Sequence, residues 1–270
     1  MLSFVELARR PDFTVTAVTC RHDRPSWSEV ETSDRYHVVF VRRGRFRRRA
    51  GGCVAELDPT MAYLAVPGDE EHFAHPDGGD VCTSIALAPA LWRRLAGDGT
   101  DLARSTVYVD PRLDLAHRRV LAASRAGDVD DAVTEDLVGL LGALVDGVVA
   151  GPTPTGTRRP DRDADLVTSA RRAIVDGHPA ATGLLPLSGH LGVSPYRLSR
   201  AFRRESGVSL TRYRNQVRVG RALQRIEEGE SSLAALAVDL GFADQAHLSR
   251  TMREHLGHTP AAVRRLFSSR

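Results

Sequence analysis

Two clusters of polar side chains carry the clearest chemistry in this 270-residue chain. The first comprises Ser194, Tyr196, Arg197, Ser199, Arg200 and Arg203; the second comprises Gln245, His247, Ser249, Arg250 and Arg253. The planar fork of arginine can bond guanine O6 and N7 together, a contact worth ~1–3 kcal/mol of discrimination, and glutamine can do the same for adenine. Groups near the start of a helix would reach base edges, and those further along would more often meet phosphate. At helical spacing Leu198, Ala201 and Phe202 turn inward, which leaves the polar residues of the first cluster, with Arg204, on the remaining surface. Arg250 reads equally well as a phosphate contact or an intramolecular partner.

These side chains sit on elements that the sequence writes twice. Residues 187–207 read LSGHLGVSPYRLSRAFRRESG, and residues 236–257 read LAVDLGFADQAHLSRTMREHLG. Leu187, Leu191 and Gly192 recur as Leu236, Leu240 and Gly241, and Leu198-Ser199-Arg200 recurs as Leu248-Ser249-Arg250. Arg203 and Gly207 recur as Arg253 and Gly257. Ser194 and Asp244 are good N-caps, Pro195 suits the first helical position, and Gly207 and Gly257 suit the helix ends. Each copy is a short apolar helix, a glycine turn and a second helix, the helix-turn-helix plan whose second helix enters the major groove. Between them Ser209 caps a predicted helix from Leu210 to about Glu228, nearly 30 Å long at 1.5 Å per residue. One turn of DNA is ~34 Å, so such a rod would let both second helices enter successive major grooves.

The last hundred or so residues resemble the AraC/XylS family of bacterial transcription regulators. The match lies in Leu191 to Pro195, Leu198 to Arg200, Phe202-Arg203, Gly207, Tyr213, Arg218 and Ala222. It continues through Leu236-Ala237, Leu240 to Phe242, Asp244-Gln245, Leu248 to Arg250, Gly257, Thr259-Pro260 and Arg264. Ser188 stands where a small apolar residue is usual, and Leu248 and Met252 replace the usual aromatics; these departures touch packing more than DNA contact. The resemblance implies a DNA-binding regulator with a sensor domain in front, and it leans toward activation.

The first half reads as short strands with Gly and Pro punctuation from about Phe13 to Leu87, which indicates a small antiparallel sandwich or barrel. Val66-Pro67-Gly68 followed by His72 resembles the second half of a cupin barrel motif, and such a barrel is the usual sensor partner in the family. The expected fold is therefore α+β: a cupin-like barrel or sandwich with two following helices, then about seven helices containing two helix-turn-helix motifs near 184–206 and 233–256. Trp27, Tyr36, Tyr63, His72 and Phe73 are the candidate ligand pocket, by their places on predicted strands. His22, His37, His72 and His75 with Cys20 and Cys82 could hold a metal. The cupin HxH is absent, however, because His37 is followed by Val39 two residues on. No metal, no cofactor and no catalytic set are therefore expected. Cys20, Cys53 and Cys82 form no CxxC, and their odd number suits a reducing compartment. They are expected to pack as small apolar residues, with thiol or metal sensing as the sharper alternative.

The arginine run from Arg42 to Arg49 reads as a hairpin with one solvated face, its charges keeping an edge from pairing. Helices are expected at 111–126 and 130–150, the second with Val133, Leu137, Leu140, Leu141, Leu144, Val145 and Val148 on one face. In the resembled family helices at this place pair two sensor domains; the plainer use is to cover the sheet of their own chain. Residues 151–163, GPTPTGTRRPDRD, read as a solvated linker between a sensor domain at 1–150 and a DNA-binding domain at 164–270. Residues 161–270 hold 17 arginines against 11 acids, a net of +6, while the whole chain is only +3. The positive part is the part with the duplication, as binding to a polyanion requires. With no long apolar stretch, the expectation is a cytoplasmic protein without a membrane span.

Three functions stay open on this evidence. The first is a ligand-responsive regulator binding double-stranded DNA, as a homodimer and not as an enzyme. The second is a cupin metalloenzyme with a DNA-binding tail. The third is an effector-independent regulator whose first half dimerises or recruits RNA polymerase.

Overall fold

The computed structural model describes residues 1–97, 105–126, 132–149 and 162–268. The chain divides into two compact units, Met1–Thr153 and Pro154–Ser269. No helix among the described residues is long and apolar enough to cross a membrane.

Among its described residues the first unit carries nine strands: β1 (Leu2–Arg9), β2 (Phe13–Cys20), β3 (Tyr36–Arg43), β4 (Phe46–Ala50), β5 (Cys53–Leu57), β6 (Met61–Ala65), β7 (Glu71–Ala74), β8 (Asp80–Leu87) and β9 (Thr106–Tyr108). Six pair in the order β1-β2-β8-β3-β6-β9 and three in the order β5-β4-β7. Among the described residues no strand pairing joins the two sheets, so they form a sandwich and not a closed barrel.

Side chains alternate across a strand, so each strand of the larger sheet serves two cores. Val15, Val38, Phe40, Ala62, Leu64, Ile85 and Leu87 face one side. Val39, Val41, Met61, Tyr63, Ala65 and Cys82 face the other, against Phe46 and Leu57 of the smaller sheet. The first side is covered by α1 (Pro89–Ala96), α2 (Pro111–Ala126) and α3 (Ala132–Val149). Val133, Leu137, Leu140, Leu141, Leu144 and Val145 of α3 all lie in that core. This apolar face thus covers the sheet of its own chain. Val148 and residues 130, 131 and 150 of the expected helix fall outside what is described of side chains or structure.

Three sequence expectations need correction here. Strand structure begins at Leu2, not near Phe13; β1 leaves Leu2, Phe4 and Val5 exposed, so burial imposes no clear alternation on it. Helix α1 and strand β9 were not expected. The arginine-bearing strand β4 guards no edge, because it lies between β5 and β7. Arg48 points inward, 2% exposed, where it pairs with Glu71, lies 4.6 Å from the centre of the Tyr63 ring and donates to Ser105 Oγ at 3.2 Å. A buried guanidinium is tolerated only with such partners. Burial pushes the Glu71 carboxyl up, and Arg48 offsets part of that.

The second unit contains α4 (Arg162–Val175), a 3₁₀ turn (Pro179–Thr182), α5 (Leu184–His190), α6 (Pro195–Ser206), α7 (Leu210–Glu227), α8 (Leu233–Asp239), α9 (Gln245–Leu256) and α10 (Pro260–Ser268). Helix α4 begins inside the stretch read as linker, since Arg162 and Asp163 are helical. Residues 151–161 of that linker lie outside the described residues.

Candidate nucleic-acid interface

The two helix pairs α5–α6 and α8–α9 are built by the same local devices. Ser194 Oγ accepts from Arg197 N at 3.2 Å, and Asp244 Oδ1 accepts from His247 N at 2.6 Å. Each bond satisfies one N–H that a helix start would otherwise leave unpaired. The turns pivot on Gly192 (φ +66°) and Gly241 (φ +73°), and the second helices end on Gly207 (φ +75°) and Gly257 (φ +78°). All four need the left-handed region that glycine enters without steric cost. The inward faces are Leu198, Ala201 and Phe202 on α6, and Leu248, Thr251 and Met252 on α9. Ser188, the departure in the first support helix, is buried and donates to Leu185 O at 2.9 Å.

The spacer helix α7 holds the second pair and the end of α4 through arginines whose structural partners the sequence reading did not identify. Arg218 Nη2 donates to Gly241 O at 2.6 Å, and its guanidinium lies 5.2 Å from the centre of the Phe242 ring, gripping the second turn. Arg221 Nη2 donates to Val175 O at 2.6 Å, closing the end of α4. Arg225 Nη1 bonds Asp239 Oδ2 at 2.8 Å. Arg264 Nη2 reaches Glu230 O at 2.9 Å. The helical spacing of Arg218, Arg221 and Arg225 was the available signal, because i, i+3 and i+4 positions share one face.

These bonds sort the arginines into structural and available ones. On α6, Arg197 donates to Asp163 Oδ1 at 3.0 Å, and Arg204 donates to Asp163 Oδ2 at 3.0 Å. Both therefore lean toward α4. Tyr196, Ser199, Arg200 and Arg203 are exposed, with Arg200 Nη1 on Tyr196 Oη at 2.9 Å. On α9, Gln245, Arg250 and Arg253 are exposed, whereas Ser249 is half-buried. His247 is half-buried as well; it accepts from Ala243 N and meets Phe242 edge-on at 5.3 Å. Among the described residues no side-chain ion pair or hydrogen bond engages Arg203, Arg250 or Arg253.

Asp163 thus competes with any phosphate for two guanidinium groups. Those two groups hold its carboxyl below the usual range through hydrogen bonds. A depressed carboxylate stabilises the folded state above its unfolded pKa, ~3.9, and that contribution disappears as pH falls through the lower folded value. Asp163→Asn is accordingly expected to leave folding intact at neutral pH and to raise DNA affinity on the order of a few-fold at low salt, since exposed pairs are individually weak. Fluorescence anisotropy on a random duplex across a salt series measures this, and an unchanged affinity and slope would show that Arg197 and Arg204 never meet DNA.

In the first unit a cavity of about 510 Å³ opens on the inter-sheet side, and its wall includes Tyr63, Phe73, Phe46, His37, Cys20 and His75. Of the five expected pocket residues, Tyr63 and Phe73 line it. Tyr36 is stacked on Trp92 at 4.8 Å, on the helix-covered side of the sheet. Trp27 carries the Arg49 guanidinium 5.0 Å from its ring centre, and His72 Nδ1 sits 3.0 Å from Ser28 O. Register explains the division: side chains two apart share a face, so His37 and Val39 belong with Tyr63, and Tyr36 does not. His37 is held between Ser33 Oγ at 2.9 Å and Ser84 Oγ at 3.1 Å, and burial pushes its pKa down.

Two helix pairs with matched caps, a shared spacer and exposed basic second helices define a double helix-turn-helix module. Residues 187–266 match the family model described as a helix-turn-helix domain. The arabinose operon regulatory protein of Escherichia coli strain K12 is 31% identical over 75 residues, 28% of this chain and 26% of that protein. The multiple antibiotic resistance protein MarA of Salmonella typhimurium is 28% identical over 106 residues, 39% of this chain and 84% of that protein. The HTH-type transcriptional regulator GlxA of Rhizobium meliloti is 30% identical over 241 residues, 83% of this chain and 64% of that protein. Among solved structures, ToxT from Vibrio cholerae O395 aligns over 97% of this chain and all of that one, with a TM-score of 0.39 and 12% identity. The chain thus spans about a quarter of the arabinose regulator and less than two thirds of GlxA. The C-terminal module is thus a helix-turn-helix domain similar to those of the arabinose operon regulatory protein and MarA.

Proposed function

We propose that this protein is a sequence-specific DNA-binding transcription regulator, not an enzyme, whose first unit senses a small molecule. The observation that supports it best is the pairing of α6 and α9, both capped, both basic, and both packed against one spacer. Ser194, Tyr196, Ser199, Arg200 and Arg203 of the first half, with Gln245, Ser249, Arg250 and Arg253 of the second, make the reading surface. Arg197 and His247 join it when their local bonds open. The cavity of about 510 Å³ is of a size for a metabolite, and that favours a sensed ligand over an effector-independent role.

Helix α7 has 18 residues, so its axis is ~27 Å long at 1.5 Å per residue. That length suits recognition helices in successive major grooves, ~34 Å apart. One copy should therefore protect roughly 17–20 base pairs containing two short specific blocks, a length that follows from the same repeat. A hydroxyl-radical footprint on a duplex selected from random sequence tests this, and protection confined to one short block would end the two-groove reading. In this proposal the protein works in the cytoplasm as a homodimer and contacts RNA polymerase at its promoters. With the apolar face of α3 inside its own core, the dimer contact falls elsewhere on the first unit. Sedimentation showing only monomer at micromolar concentration would remove the dimer.

A further inference from the structure

The geometry points to a transition-metal site of the zinc class at Cys20, His75 and Asp80, inside the cavity of the first unit. The three come from separate parts of the chain and are held there by backbone. Cys20 closes β2 and Asp80 opens β8, and the two are direct partners in the antiparallel register. His75 follows β7 and is fixed by its own N–H donating to Arg24 O at 2.8 Å. Gly79 lets β8 approach so closely that a Cβ there would lie 2.1 Å from Cys20 O.

The donor atoms converge. Cys20 Sγ is 3.6 Å from His75 Nε2 and Asp80 Oδ1 is 2.9 Å from the opposite ring nitrogen, His75 Nδ1; one ligand atom from each residue lies within 4.8 Å of the others, so a turn of the imidazole brings a single nitrogen to an ion shared with Cys20 and Asp80. With a metal–sulfur bond of ~2.3 Å and a metal–nitrogen bond of ~2.0–2.1 Å, a tetrahedral site puts sulfur and nitrogen ~3.6 Å apart. The observed separation, which is also that of a thiol–imidazole hydrogen bond, matches that edge. Cys20 and Asp80 are buried at 4% and 6% exposure. Asp80 Oδ1 and His75 Nδ1 are both shut off from solvent and face each other at 2.9 Å as a carboxylate–imidazole pair, without the geometry of a directed hydrogen bond. A buried carboxylate with an oxygen so placed is costly unless a cation compensates it. Its other oxygen, Oδ2, accepts from the Cys82 thiol at 3.0 Å. That contact anchors Asp80 from behind.

A thiolate, an imidazole and a carboxylate select a borderline divalent ion such as Zn²⁺ over Mg²⁺ or Ca²⁺. Binding forms a metal–sulfur bond while the Cys20 S–H proton leaves to water. Three protein ligands leave a fourth position open toward the cavity. The site departs from the expectation of no metal, which rested on a missing HxH in a different part of the sheet. Its regulatory meaning rests on the sensor reading above; its existence does not.

The test uses the full chain, stripped with chelator and titrated with Co²⁺ as a spectroscopic stand-in for Zn²⁺. One equivalent should give a thiolate-to-cobalt charge-transfer band with tetrahedral d–d absorption, displaced by Zn²⁺. Cys20→Ser should lose the band, Asp80→Asn, which removes a ligand, should weaken binding by more than the ~10- to 100-fold that loss of an outer partner costs, and Cys53→Ser, at an exposed cysteine, should change nothing. As a check that does not depend on any variant folding, Zn²⁺ should slow alkylation of Cys20 in the wild-type chain, read by mass spectrometry. No Co²⁺ band, a band untouched in folded Cys20→Ser, or alkylation indifferent to Zn²⁺ would each overturn the assignment. DNA affinity with and without Zn²⁺ is read separately: a bound metal with unchanged affinity leaves the site standing and refutes its role as sensor.

Discussion

Replacing Arg200 and Arg250 together by alanine lowers affinity for the selected DNA site by roughly 30- to 10⁴-fold. Each guanidinium that reads a guanine contributes ~1–3 kcal/mol of discrimination. The two sit on different helices, α6 and α9, with no shared partner, so their effects should add to about 2–6 kcal/mol. At ~1.4 kcal/mol per tenfold, that sum sets the range. Among the described residues Arg200 bonds only Tyr196, another exposed residue of the same helix, and Arg250 is exposed. Neither substitution should unfold the module. Anisotropy on the selected duplex and on a scrambled one separates the alternatives. A loss confined to the selected duplex supports base reading; equal losses on both would make these residues phosphate contacts. No loss on either duplex would mean that these helix faces do not meet DNA.

Phe202→Ala should destabilise the C-terminal unit by about 3–5 kcal/mol, the usual cost of deleting a buried aromatic ring. Phe202 is completely buried and meets Tyr213 of α7 edge-on, with ring centres 5.2 Å apart at 65°. That contact joins the first recognition helix to the spacer, so losing it also loosens the register of α6. Domains have only ~5–15 kcal/mol in total, so much of the unit's stability goes. A melting temperature lowered by more than about 10 °C in circular dichroism is expected for a unit of this size. A drop of only a degree or two would mean that the ring is not the joint between α6 and α7.

The helix starts and turns of the second unit were readable from single residues. Ser194, Asp244 and Ser209 cap where expected, and Gly192, Gly241, Gly207 and Gly257 take positive φ, because caps and left-handed turns are demands of the local backbone. Strand β1 was not readable, since only Ala8 of its residues is fully buried and an exposed strand carries no strong alternation. Strand β4 was misread as an edge, because whether a strand has one neighbour or two is a property of sheet order, which no local pattern encodes.

The same division runs through the functional residues. Residue type and spacing alone determined that two arginine-bearing helices follow two glycine turns, since caps, periodicity and turn chemistry act over four or five residues. Only the tertiary structure decided which arginines stay available and which are tied to Asp163, Val175 O or Gly241 O. It likewise brought Cys20 to His75 across 55 positions of sequence. Those pairings depend on strand order and helix packing, where burial of apolar faces sets the geometry and the polar side chains are carried along with it.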